Sequence, residues 1–139
     1  MKTSGTAIHS GLTSTVELHR EDGPIRFRRS GRWVPAHIHN VVGAARATSL
    51  GADGVQVHMV EHLLAALTIS GFYSGVVVAM DNDELPILDG SAAPWLPAIE
   101  ELGPPPSAPA PLTLRQPLEV HIGQARARLE PGDTLLDYS

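Results

Sequence analysis

Residues 57–70 read Val57-His58-Met59-Val60-Glu61-His62-Leu63-Leu64-Ala65-Ala66-Leu67-Thr68-Ile69-Ser70, and Gly71 follows at once. Met59, Leu63, Ala66 and Leu67 recur at i, i+4, i+7 and i+8, which lines one face of a helix, and glycine is the commonest residue just past a helix end. The spacing predicts a helix over 57–70. Directly after it, Gly75-Val76-Val77-Val78-Ala79-Met80 carries three consecutive β-branched residues, a run that favours an extended chain and predicts a buried strand. A helix beside a buried strand commits the fold to mixed α and β structure.

Upstream, the period is two. In Thr15 to His19, Val16 and Leu18 alternate with polar neighbours, as on a half-buried strand. Ile25 to Arg29 alternates likewise, and Ser30-Gly31 separates it from Arg32-Trp33-Val34, which predicts a hairpin. Ala47 to Leu50 and Val55 to Val57 flank Gly51-Ala52-Asp53-Gly54, a second predicted hairpin, and Thr6 to His9 forms a short first strand. Downstream, a second helix is expected after Ser91, with Pro94 in its first turn, Ile99 and Leu102 facing inward and Gly103 ending it; Pro97 argues for a later start. Five of the twelve prolines then fall in residues 103–111, a composition suited to an extended linker. Beyond it, Leu112 to Ile122, Ala125 to Leu129 and Thr134 to Tyr138 read as strands joined by turns.

The expected architecture is α+β: a two-layer sandwich in which a small, mostly antiparallel sheet carries two helices on one face, followed by a Pro-rich linker and a short β tail. The expected domains are 1–102, a complete α+β unit; 103–111, the linker; and 112–139, too short to bury a core alone.

Composition narrows the function classes. The 139 residues carry a formal charge of -5, and Arg20 to Arg32 is the one basic cluster of note, which argues against a nucleic-acid footprint. No stretch approaches the roughly 18 apolar residues of a membrane-spanning helix, and the N-terminus lacks the apolar run of a leader, so the expected location is cytoplasmic. With no cysteine and seven histidines, any zinc must be held by His and carboxylates.

The sharpest chemical feature is His58-Met59-Val60-Glu61-His62. On a continuous helix the two imidazoles would stand one above the other and could share a metal, with Glu61 beside them as a base. Read literally, H-x-x-E-H is the inverted zincin peptidase signature, although three fixed positions are a weak pattern and such peptidases take further acidic ligands. The plainer reading has these histidines capping the helix or satisfying a core hydrogen bond. His37 and His39 alternate on an expected strand edge. His9 sits in a Gly-rich turn, and Asp81-Asn82-Asp83-Glu84 lacks the order of a calcium loop and reads as a solvated turn. Trp33 and Trp95 read as core or lid anchors.

Three motifs together are recognisable. Gly5-Thr6-Ala7-Ile8-His9-Ser10-Gly11, then Val60-Glu61-His62-Leu63-Leu64-Ala65-Ala66-Leu67, then the run Pro86-Ile87-Leu88-Asp89-Gly90-Ser91-Ala92-Ala93-Pro94-Trp95 closely resemble, in that order, the N-terminal half of the zinc-dependent UDP-3-O-acyl-N-acetylglucosamine deacetylases of lipid A synthesis. The resemblance implies two similar domains with zinc and substrate in the cleft between them. It assigns Glu61 as the general base and His62 as a zinc ligand. His58 remains a second candidate ligand that the family pattern does not require, and His9, Asp89 and Ser91 are further cleft candidates, Ser91 also being a natural helix N-cap. The family's remaining zinc ligands, a His and an Asp from the second domain, have no counterpart within 139 residues, so Zn2+ is expected to bind the isolated chain weakly or not at all.

Two readings follow. In one, the chain is the first-domain half of a zinc amidohydrolase acting on UDP-3-O-acyl-N-acetylglucosamine, completed by a further domain or partner chain and inactive without it. In the other, it is a non-catalytic interaction or structural module, with a homodimer as one form of assembly.

Overall fold

The computed structural model describes residues 1–110 and 112–132. The chain divides between Ala108 and Pro109 into two units.

In the first unit, strand β1 (Lys2–Thr6) pairs antiparallel with β2 (Thr13–Arg20), and β3 (Arg26–Arg29) forms a hairpin with β4 (Arg32–Pro35). A second, three-stranded antiparallel sheet follows: β5 (Val41–Gly43), β6 (Ser49–Ala52) and β7 (Val55–His58). Helix α1 (Glu61–Ile69) comes next, and the chain then returns as β8 (Val76–Met80) into the centre of the first sheet, whose order is β1-β2-β8-β3-β4. The β3–β8 pair is parallel. A parallel pair needs a long crossover, and β4 to α1 provide it.

The valine run places β8 where both faces are covered. Val16 lies opposite Met80 and Leu18 opposite Val78, while Phe27 sits between Val78 and Val34. These side chains share one buried cluster with Leu50, Val55 and Val57 of the second sheet, with Leu63, Ala66 and Leu67 of α1, and with Trp95, Ala98 and Ile99. Full burial of each large apolar side chain contributes roughly 1.5–3 kcal/mol before entropy is counted. On the sheet's other face the guanidinium groups of Arg26 and Arg28 lie over the Trp33 ring, 4.9 Å and 5.7 Å from its centre.

Several expectations need correction. The first unit holds two sheets, one of them mixed, where a single mostly antiparallel sheet was expected. The first strand ends at Thr6, so His9 lies in the turn after it. His37 and His39 do not alternate on a strand: His37 caps and His39 lies within a single 3-10 turn, Ile38–Asn40, with their rings stacked at 4.8 Å. Helix α1 starts at Glu61 and not at Val57, because His58 ends β7 and its backbone is tied on both sides, its N–H to the Asp83 carbonyl at 2.7 Å and its carbonyl to the Leu85 N–H at 3.1 Å. Met59 then turns the chain in the left-handed region, at φ 62°. Met59 is buried as its spacing suggested, but from this elbow and not from a helix face. The second helix splits into a 3-10 turn, Ala93–Trp95, and α2 (Leu96–Glu100); Pro94 and Pro97, which lack an N–H, are tolerated only at such starts.

In the second unit, β9 (Leu118–Ile122) and β10 (Ala125–Leu129) form an antiparallel hairpin through Gly123 at φ 61°. By itself the hairpin builds no core. The strand begins at Leu118 and not at Leu112, and the expected strand Thr134 to Tyr138 lies outside the described residues.

Candidate functional site

The β7–α1 elbow sets Glu61 and His62 side by side in the first turn of α1, both half-buried. An acidic residue there suits the positive end of the helix dipole. Its carboxylate is also aimed: the Thr48 backbone N–H donates to Glu61 Oε2 at 2.9 Å, while the Thr48 carbonyl accepts from the Val60 N–H at 3.4 Å. One residue, just before β6, therefore clamps both the helix start and the candidate base.

Ser49, next along, makes the link to His58. Its Oγ lies 2.8 Å from His58 Nδ1. His58 and Ser49, with His9, Ala45, Ala47 and Glu84, line a cleft of about 270 Å3. Because His58 closes a strand and Met59 reverses the backbone, His58 and His62 are not one helical turn apart, and the stacked pair of imidazoles expected from their spacing does not form.

Opposite His58 stands Glu84, which is only 3% exposed. Its Oε1 accepts from the His9 N–H at 2.8 Å and lies 2.9 Å from His9 Nδ1, and its Oε2 accepts from the Ser10 N–H at 2.9 Å. Burial pushes this carboxyl up, but the backbone N–H groups of His9 and Ser10, together with their side chains, outweigh it and hold the group below the ordinary glutamate value. The turn that delivers His9 is closed by hydrogen bonds from Ala7 N–H to the Leu12 carbonyl and from Gly11 N–H to the Ala7 carbonyl, both 2.9 Å; Gly11, at φ 71°, adopts a conformation that suits glycine. The reading of residues 81–84 as a solvated turn fails for Glu84. Nothing in a run of four polar residues singles out the buried one, since its partners lie 74 and 75 positions away.

Asp89 and Ser91 are used locally. Asp89 Oδ1 accepts from the Ser91 N–H at 2.8 Å, which is the main reason its carboxyl is held below the usual range, and Ser91 Oγ accepts from the Ala93 N–H at 3.2 Å; Ser91 is not the expected N-cap, because Ala92 occupies that position before the 3-10 turn, without a side-chain cap bond. Neither lines the His9–His58–Glu84 cleft. Their segment nonetheless touches the first motif: the Ile87 N–H donates to the Thr6 carbonyl at 3.0 Å, and a Cβ on Gly5 would come within 3.0 Å of Leu88 and 3.1 Å of Pro86. Gly5 is needed because the two segments pack backbone to side chain.

Among the described residues no group of three or more His, Asp or Glu side chains is placed to hold a metal ion. Catalytic zinc takes three protein ligands, so His62 with its neighbours does not make a complete zinc site. No described helix is long and apolar enough to cross a membrane.

Comparison with known proteins agrees with the motifs. The LpxC family model, described as UDP-3-O-acyl N-acetylglycosamine deacetylase, matches residues 1–139. A protein of Anaeromyxobacter dehalogenans named UDP-3-O-acyl-N-acetylglucosamine deacetylase is 40% identical over 136 residues, which is 94% of this chain and 44% of that protein. Its namesake in Thermosynechococcus vestitus is 37% identical over 140 residues, 95% of this chain and 49% of that protein. A third, from Chlamydia muridarum, is 38% identical over 105 residues, 72% of this chain and 36% of that protein. The chain thus spans less than half the length of these relatives.

Proposed function

The chain belongs to the UDP-3-O-acyl-N-acetylglucosamine deacetylase family, and from that premise we propose that it contributes the first half of such an enzyme. Residues 1–102 form the first-domain-like unit, 103–111 the linker and 112–139 the opening of a second domain. The reaction is hydrolysis of the N-acetyl amide of UDP-3-O-acyl-N-acetylglucosamine: water adds to the acetyl carbonyl, the C–N bond breaks, and acetate and the amine leave. Glu61 accepts the proton of the attacking water and returns one to the departing nitrogen. His62 contributes one ligand to the family's zinc; the others come from polypeptide outside these residues, and the isolated chain is inactive. The observation that carries this reading is the Thr48 N–H held against Glu61 at the start of α1, beside His62.

The lack of a three-donor cluster among the described residues favours a second reading, a module that keeps the fold without the chemistry. Joining the chain to the second half of the Anaeromyxobacter dehalogenans relative and following acetate release from UDP-3-O-acyl-N-acetylglucosamine separates the two. Turnover by the joined protein, with none from the chain alone, is expected. A folded, zinc-loaded joined protein without turnover would support the module.

A further inference from the structure

Glu84 is the one buried charged side chain among the described residues, and the chemistry given to Glu61 and His62 makes no use of it. Two of the groups that reach it are backbone N–H donors, one on each carboxylate oxygen. With the His9 and Ser10 side chains they hold the carboxyl below the ordinary glutamate value, so at neutral pH it is the ionised carboxylate, which can only accept. The third group, His9 Nδ1 at 2.9 Å, must then be the donor. Which nitrogen of a neutral imidazole carries the proton is set by the hydrogen bond that one of them makes. With Nδ1 committed to Glu84, Nε2 is the unprotonated nitrogen, on a side chain that is 46% exposed and lines the cleft shared with His58 and Ser49.

We propose that Glu84 is a positioning residue that fixes His9 as its Nδ1–H tautomer and holds the His9–Ser10 backbone at the cleft wall, so that His9 Nε2 is presented to the cleft as a hydrogen-bond acceptor for a hydroxyl or N–H of the bound ligand. A carboxylate behind a functional imidazole is a general way to fix ring orientation. The inference stands on the His9–Glu84 geometry alone and holds whether or not the cleft serves deacetylation.

The test is an imidazole nitrogen spectrum of the 15N-labelled full chain at about pH 9, where imidazoles as a class are neutral. For His9 the expected pattern is a protonated, pyrrole-type Nδ1 and a pyridine-type Nε2. The reverse pattern in the wild-type chain overturns the proposal without any variant. In Glu84→Ala, which removes every acceptor, a share of His9 is expected to move to the Nε2–H form while His58, bonded to Ser49, keeps its own pattern. Retention of the wild-type His9 pattern in a folded Glu84→Ala chain would also overturn it.

Discussion

Glu84→Gln conserves shape and removes charge, and the geometry sets what it must cost. In the native chain three N–H groups converge on two oxygens. Glutamine keeps one acceptor oxygen, so whichever way the amide is turned, an NH2 faces either Ser10 N–H or the pair of His9 donors. Hydrogen bonds to a charged group contribute about 1.5–3 kcal/mol each, and the neutral amide recovers part of the carboxylate's desolvation. The net loss expected at pH 7 is about 1–3 kcal/mol, and in a unit of this size each kcal/mol lowers Tm by roughly 4–8 °C. The pH dependence has a definite sign. The folded Glu84 carboxyl lies below its ordinary value of 4.5, so its contribution is fully present above 4.5 and is lost as pH falls through the folded value. Glutamine does not titrate there. Denaturant unfolding of both proteins from pH 7 down to pH 3 should therefore show a stability gap that is present above 4.5 and closes as pH falls below it. A gap under about 0.5 kcal/mol at pH 7, the range of ordinary surface substitutions, would refute the reasoning. So would a gap that does not change with pH.

Leu63→Ala removes a fully buried side chain from α1 and should cost about 2–5 kcal/mol, whereas Ile69→Ala, 80% exposed on the same helix, should stay within about 0.5 kcal/mol; denaturant midpoints check both. Gly71→Ala should lose about 1–2 kcal/mol by thermal melt, because Gly71 sits at φ 83° and an added Cβ would come within 3.2 Å of Pro105. Thr48→Pro removes the N–H that aims Glu61; the joined enzyme should lose rate with little change in KM, and an unchanged rate would show that the clamp is idle.

Much of the fold was legible because its signals are local. Alternation marked β2 and β3, the Ser30-Gly31 turn marked the β3–β4 hairpin, the Gly51–Gly54 turn marked the β6–β7 hairpin, and three valines marked β8. The same habit misplaced the start of α1. Met59 satisfies helical spacing, and nothing in its side chain announces a left-handed backbone; that conformation is imposed by the bridge between His58 and Glu84, 26 positions apart. The parallel β3–β8 pair is equally non-local. For the candidate site, the three motifs gave the family and pointed to Glu61, His62 and His9, but no pattern of spacing could show that Thr48 clamps Glu61 or that Glu84 is the buried member of its acidic run. Asp89 and Ser91 illustrate the opposite error, residues of a recognisable motif whose observed hydrogen bonds are local turn contacts.

The central claim is that Glu61 carries the proton chemistry and His62 the metal. It is tested most directly by measuring zinc content and acetate release on the same preparations of the joined enzyme bearing Glu61→Gln or His62→Ala. Glutamine keeps a carbonyl for the Thr48 N–H, so Glu61→Gln should retain its zinc and lose rate by about 10²–10⁴-fold, while His62→Ala should lose the zinc itself. A Glu61→Gln enzyme at wild-type rate, or a His62→Ala enzyme with full zinc, would contradict the account.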